Sequence, residues 1–191
     1  MPIHSKRSPV PATSRSRTPR NGAGRVFFAL FALALAGCAT QPLPPDSVPL
    51  ADVLSARLGM AKEVAWAKWA DGLPVRDRVR EDAVVTKFVA QAESAGLNGK
   101  SADRLIRAQI EASCIEQDYW TKSWRAGNGL PPGDPPALGA LRQRLDRISF
   151  RLLAEWAAID GGPVPAAALK ARLIQDGFTP SAARAATGFA R

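Results

Sequence analysis

Charged and amide side chains interrupt the apolar faces that the sequence predicts for its helices. Positions alternately four and three residues apart lie on one face of a helix. On that spacing Arg57 and Lys68 share a face with leucine, alanine and valine. Ser113 and Gln117 likewise fall among isoleucine and tryptophan, and Arg142 falls among leucines. These five side chains are therefore the first candidates for chemistry.

Such groups are costly to bury without partners, and acidic residues are scarce on the same faces. Each has a structural explanation, because arginine and lysine can lift their charge into water and an amide can bridge two helices. A helix register through Leu141 and Ile148 would also turn Arg142 outward. Taken together, however, the five side chains predict a ligand with two or more negative charges inside a helical bundle.

The single histidine, His4, lies near the start of the chain and far from these positions. Without histidine, the rest of the chain cannot use a Ser-His-Asp or Cys-His mechanism and lacks the commonest zinc ligand. We therefore expect no metal at the site.

The elements that must position these residues are helical. Alternating β-branched runs are absent, and alanine, leucine, arginine, glutamate and glutamine, all good helix formers, dominate. Turn-forming Gly, Pro, Asn and Asp clusters separate helical blocks at 48–70, 76–95, 101–126 and 137–159, with shorter ones at 165–176 and 180–188. Ser101 is expected to be an N-cap. The predicted fold is all-α: a helical bundle with a short helical C-terminal tail.

Most of the positive charge of the 191 residues lies in a leader. The formal net charge is +9, but residues 1–37 hold six basic and no acidic residues. The remaining 20 basic and 17 acidic residues leave a net charge of only +3. That balance, without a contiguous basic run, argues against an electrostatic binder of nucleic acid or anionic lipid.

The leader has the order of a secretory signal, because an apolar run from Val26 to Ala36 follows the basic region. Residues 35–38 (Leu-Ala-Gly-Cys) resemble the bacterial lipobox, in which the cysteine is lipidated. We expect export to the periplasm and a lipid anchor at Cys38 in the outer membrane, as the only membrane contact. The alternative is cleavage near Ala36 or Ala39, which would leave Cys38 free. Residues 38–48 are expected to form a proline-rich linker.

The second cysteine, Cys114, lies in an apolar helical stretch and is expected to be a buried, inert thiol. A disulfide with Cys38 is the alternative if Cys38 is not acylated.

Several short motifs, found in order, resemble the helical chorismate mutases, specifically the exported subclass in which one chain supplies a whole active site. The resemblance covers residues 49–160, with 161–191 as an extension. Its residues are Arg57 and Lys68, then Asp77, Arg80 and Glu81, then Ser113 and Gln117, and finally Arg142.

The resemblance implies a Claisen rearrangement of chorismate to prephenate, in the shikimate pathway branch that leads to aromatic amino acids. It also implies that the site needs no cofactor. It implies that Arg57 and Arg142 clamp the substrate carboxylates, with Arg80 and Ser113 completing that pocket. Lys68 and Gln117 would donate to the ether oxygen. Glu81, with the backbone near Asp77, would take the ring hydroxyl. Related exported enzymes are dimers, so a homodimer is expected.

Two other readings stay open at this stage. A non-catalytic envelope lipoprotein that binds a partner or an anionic metabolite would also explain the leader and the helices, and a relative without activity would share the motifs. The five tryptophans (Trp66, Trp69, Trp120, Trp124 and Trp156) are expected to pack in the core and at a dimer interface rather than stack on a ligand.

Overall fold

The computed structural model describes residues 42–160 and 164–190, and within them every regular element is helical. After a single 3-10 turn at Pro45–Ser47, the helices are α1 (Val48–Gly59), α2 (Ala61–Ala70), α3 (Arg78–Ser94), α4 (Gly99–Arg125), α5 (Leu138–Ala158), α6 (Ala166–Gln175) and α7 (Pro180–Ala186). The all-α prediction is therefore confirmed.

The predicted helical blocks agree with the observed helices to within about two residues, with two exceptions. The first block is divided into α1 and α2 at Gly59 and Met60, although Met60 keeps a helical backbone. The prediction that Ser101 is an N-cap is wrong, because Asn98 begins α4 and its side chain accepts from the Ser101 N–H. Asparagine and serine are both common N-cap residues. Asn98, which is nearer to the preceding glycine turn, is the N-cap of α4.

Helix α4 is the centre of the bundle, with contacts to α1, α2, α3 and α7. Helix α5 packs across α1, α2 and α3 on another side. Sequence explains the role of α4, since its buried residues recur at helical spacing from Ala102 to Trp124, over most of its 27 residues. Four helices therefore surround the part of α4 that carries Ser113 and Gln117.

The C-terminal helices are part of the same core. Leu169 and Leu173 of α6 and Ala182, Ala183 and Ala186 of α7 are fully buried and join the main apolar cluster. Two buried side chains of α4 also bind the two ends of α7. Glu116 accepts from the backbone N–H of Thr179 at 2.6 Å, and Gln109 donates to the carbonyl of Ala186 at 2.8 Å.

The apolar core is in two parts. The larger one joins α1, α3, α4, α5, α6 and α7, and a smaller one is formed by Met60, Val64, Ala67 and Leu141. Trp156 lies in the larger part, and Trp124 is also buried, as predicted for the tryptophans. Trp66, Trp69 and Trp120 are half-buried.

The predicted signal and lipidation site at residues 1–38 lie outside the described residues. Among the residues that the structure does describe, no helix combines the length and apolarity needed to cross a bilayer.

Candidate active site

A cavity lies between the two parts of the core, with walls from α1 to α5. Its volume is about 110 Å³, and it opens to solvent. Its lining includes all eight residues singled out from the sequence: Arg57, Lys68, Asp77, Arg80, Glu81, Ser113, Gln117 and Arg142.

One wall, from α1 and α2, presents two cations 11 residues apart. Arg57 is only 5% exposed, and among the described residues its side chain makes one hydrogen bond, from Nε to the hydroxyl of Ser149 at 3.3 Å. Burial lowers the pKa of Arg57 to about 10 and also lowers that of Lys68, because both charges are taken out of water. Among the described residues, no carboxylate lies within 4.0 Å of either cation.

The turn after α2 closes one end of the cavity. Gly72 takes a positive φ of 64°, and the N–H groups of Gly72 and Leu73 return to the carbonyls of Trp69 and Lys68. This is the Schellman arrangement, which glycine permits at low cost. It turns the chain back so that the carbonyl of Val75 accepts a hydrogen bond from the Lys68 ammonium.

The first turn of α3 forms the next wall and is capped from both directions. The Asp77 carboxylate accepts from the Arg80 N–H at 3.1 Å, and the Glu81 carboxylate accepts from the Asp77 N–H at 3.1 Å. The side chain of Arg80 reaches Asp146 of α5 at 3.6 Å. Glu81 itself is held loosely, with Arg76 and Arg78 each 3.9 Å from its second oxygen.

Helix α4 supplies neutral groups to the cavity. Gln117 donates from Nε2 to the hydroxyl of Ser113 at 3.1 Å, and the buried Oε1 of Gln117 has no hydrogen-bond partner among the residues that the structure describes. Cys114 lies on the same wall, 3.9 Å from Glu81. Burial raises the pKa of the Cys114 thiol to about 11, which keeps it protonated at neutral pH. The prediction that Cys114 is buried is confirmed. Cys38, its partner in the alternative disulfide, lies outside the described residues.

Helix α5 completes the cavity, and both registers left open by the sequence face the inside of the bundle. Arg142 and Ser149 both line the cavity, while Leu141 is buried in the smaller apolar cluster. The helix therefore buries a broad face that includes both registers. Arg142 stays 41% exposed at the cavity mouth, 3.8 Å from the carboxylate of Asp77.

Sequence reasoning missed three polar contributors to this site: Ser149, Asp146 and the carbonyl of Val75. Asp146 and Ser149 lie four and seven residues after Arg142, so helical spacing from Arg142 could have found them. No feature of the sequence pointed to the Val75 carbonyl, because the direction of the backbone in that turn depends on how the chain folds back.

The arrangement is suited to binding an anion by charge and hydrogen bonds. Within the described part of the chain, no group of three or more His, Cys, Asp or Glu residues could hold a metal ion. The only described cysteine in the cavity wall is protonated, which makes it a poor nucleophile. The groups available for chemistry are four cations, one amide, two hydroxyls and three carboxylates, supplied by α1 to α5 and by the residue that caps α3.

Comparison with known proteins identifies the family. A family model described as chorismate mutase type II matches residues 49–118. A secreted chorismate mutase of Yersinia pestis is 35% identical over 107 residues, which are 56% of this chain and 57% of that protein. A secreted chorismate mutase of Mycobacterium tuberculosis is 30% identical over 107 residues, covering 56% of this chain and 53% of that protein. The chain thus spans little more than half the length of these curated relatives.

The crystal structure of the secreted chorismate mutase from Yersinia pestis gives the most complete match of these. It superposes with a TM-score of 0.62 at 30% identity, over 73% of this chain and 93% of that one. The sequence matches the family model, and the helical fold superposes on nearly the whole of a solved chorismate mutase at 30% identity. This protein therefore belongs to the helical, type II chorismate mutase family.

Proposed function

We propose that this protein is a chorismate mutase, which converts chorismate to prephenate by a Claisen rearrangement. Membership in the family supports the proposal. One observation carries it: Arg57 and Lys68 are held in a cavity wall without a carboxylate partner among the described residues. A ligand with two carboxylates would supply the missing negative charge.

The reaction suits a site of this composition. A Claisen rearrangement is pericyclic and unimolecular, so it needs no nucleophile, metal or proton transfer. The catalyst must hold the enolpyruvyl side chain over the ring in a reactive geometry. It must also stabilise the negative charge that develops on the ether oxygen as the C–O bond breaks.

The substrate carboxylates would be bound by arginines from two helices, α1 and α5. Arg57 is the buried member and Arg142 the partly exposed one, at the mouth. A planar guanidinium can donate two parallel hydrogen bonds to a carboxylate. Arg80 and Ser113 would complete this part of the site, and Arg80 would exchange its loose contact with Asp146 for the substrate.

The ether oxygen would accept hydrogen bonds from Lys68 and Gln117. The unpartnered Oε1 of Gln117 supports this role, since a half-turn of the amide would exchange its oxygen and nitrogen. The Ser113 hydroxyl would then donate to Oε1, leaving Nε2 free for the ether oxygen.

The ring hydroxyl would donate to the Glu81 carboxylate. The Asp77 N–H already donates to that carboxylate, which holds it beside the cavity. One oxygen of Glu81 has only distant cation contacts and stays available as an acceptor.

The wider organisation of the protein is also proposed. Residues 1–37 would be a signal peptide, 38–48 a linker, 49–160 the chorismate mutase domain and 161–191 a helical extension. Relatives named as secreted support export. We propose a periplasmic location, with an outer-membrane anchor through Cys38. Replacing Cys38 with serine should then release the protein from the membrane fraction, and an unchanged distribution would argue for simple cleavage.

A direct assay tests the activity. The mature protein, expressed with its own leader and purified, is mixed with chorismate while the ultraviolet absorbance of the substrate is followed. We expect rapid conversion to prephenate. Lys68→Ala and Gln117→Ala should each lower kcat by about 10²–10³-fold, as for other preorganised donors.

Lys100→Ala is the matched control, because Lys100 is exposed at the start of α4 and does not line the cavity. It should retain full activity. If the folded wild-type protein leaves chorismate unchanged, the proposed chorismate mutase activity is wrong. The cavity would then be assigned to binding of an anionic metabolite by a non-catalytic envelope protein.

A further inference from the structure

The guanidinium of Arg57 has an unusual partner for a buried charge. Its Nε donates to the hydroxyl of Ser149, a neutral group 92 residues away in the sequence. Both residues are buried, and the bond joins α1 to α5 across the cavity wall.

The other two arginines of the cavity are held differently. Arg80 lies near Asp146, and Arg142 lies near Asp77, so each has a carboxylate within 4.0 Å. Both are about two-fifths exposed, which weakens those contacts. Arg57 is the most deeply buried of the three arginines and the one whose hydrogen-bond partner carries no charge.

A neutral acceptor at Nε has two consequences for Arg57. It holds the plane of the guanidinium while leaving the four N–H groups of Nη1 and Nη2 for another acceptor. It also leaves the positive charge uncompensated, whereas a carboxylate at position 149 would neutralise it. The terminal edge of the guanidinium is the one that can bind a carboxylate through two parallel bonds.

Ser149 is also well placed by its helix. It lies seven residues, or about two turns, after Arg142, so α5 presents both residues to the cavity. One helix therefore carries one arginine of the site and the group that orients the other.

We infer that Ser149 is a positioning residue, which fixes the guanidinium of Arg57 through Nε and directs its terminal N–H groups toward a substrate carboxylate. The inference rests on the proposed chorismate mutase activity. It assigns Ser149 no contact with the reacting atoms, so its loss should weaken substrate binding rather than the chemical step.

The experiment compares Ser149→Thr with Ser149→Val in the mature protein. The two side chains have nearly the same shape and differ in the hydroxyl, so any packing effect of the added methyl group is shared. Ser149→Thr should keep KM near the wild-type value. Ser149→Val should raise KM about tenfold and change kcat less than about threefold. This is the effect expected when a hydrogen bond to a charged group is lost and that bond stabilises the bound substrate and the transition state equally.

A double-mutant cycle shows whether the effect passes through Arg57. In an Arg57→Ala background, exchanging threonine for valine at position 149 should leave KM unchanged, because the orientated group is gone. Ser149→Ala, which only removes the hydroxyl, repeats the comparison with wild type if the larger side chains prevent folding.

Three results would overturn the inference: equal KM for the threonine and valine variants, an effect confined to kcat, or the same rise in KM without Arg57. Each presupposes an active wild-type protein. A folded wild type with no activity on chorismate would instead refute the proposed function, so the two failures are distinguishable.

Discussion

Lys68 and Arg57 keep positive charges in a wall where burial opposes them. Burial lowers the pKa of both side chains, to about 10 for Arg57. For a base, a lowered pKa means that the charge is lost at a lower pH than in water. The protonated forms are the ones that would bind an anion and donate to an ether oxygen, so activity should decline on the alkaline side.

The acidic side of the pH profile depends on Gln117. Gln117 carries a neutral amide, whereas a carboxyl group at this position would have to be protonated before it could donate. Glutamine donates at any pH, so turnover should vary little between pH 5 and 8 and fall at higher pH as Lys68 loses its proton. Initial rates with saturating chorismate across this range test the prediction.

Two variants serve as controls for this profile. Gln117→Glu should make activity rise toward acid, and Lys68→Arg should move the alkaline decline to higher pH, because arginine keeps its proton longer. A tenfold rise of wild-type turnover toward acid would contradict the role given to Gln117.

At the scale of elements, α4 carries two pairs of functional residues on neighbouring parts of its buried side. Ser113 and Gln117 line the cavity, whereas Gln109 and Glu116 bind the two ends of α7. A carboxylate at the N-terminus of a helix and an amide donor at its C-terminus both match the direction of the helix dipole. The C-terminal extension is therefore held on the helix that supplies the neutral groups of the site.

Removing the amide of Gln109 should destabilise this junction. Gln109→Ala leaves the buried Ala186 carbonyl without its donor, and we expect the free energy of unfolding to fall by about 1–3 kcal/mol. Urea denaturation measures the change, while kcat at temperatures well below unfolding should stay close to wild type. Gln143→Ala, on the exposed side of α5, is the matched control and should change stability little. A loss of kcat without loss of stability would show that Gln109 acts on the site instead.

At the scale of the whole molecule, aromatic side chains gather on one part of the surface. Tyr119 is 50% exposed and packs edge-on against Trp120, with 5.2 Å between the ring centroids. Trp120 in turn lies beside Trp124, and Trp124 packs against Trp69. Exposed aromatic residues are enriched at protein–protein interfaces. We propose this surface as the interface of the homodimer that the family resemblance implies.

The mature protein should therefore sediment as a dimer in analytical ultracentrifugation. Tyr119→Lys should shift it toward monomer, because a charge would have to be buried at the interface. Phe150 is a second exposed aromatic residue, on α5, and Phe150→Lys is the comparison. Dissociation by Phe150→Lys alone would move the interface to α5, and a monomeric wild type would refute the dimer.

The sequence by itself determined the helices and the residues around the cavity. Helical spacing among leucine, isoleucine and alanine defined the buried faces, and the polar residues that interrupted those faces are the ones now found in the cavity wall. This worked because burying an unpartnered charge or amide is costly, so such an interruption is rarely without a reason. The family resemblance then supplied an expected role for each position.

Only the tertiary structure decided which partners these residues have. The hydroxyl of Ser149 meets Arg57 from 92 residues away, the Val75 carbonyl meets Lys68 through a glycine turn, and Glu116 and Gln109 bind the two ends of α7. Each of these contacts depends on how two elements lie in space, which local spacing along one helix does not contain. Periodicity thus identifies the face of a helix, whereas packing selects what that face meets.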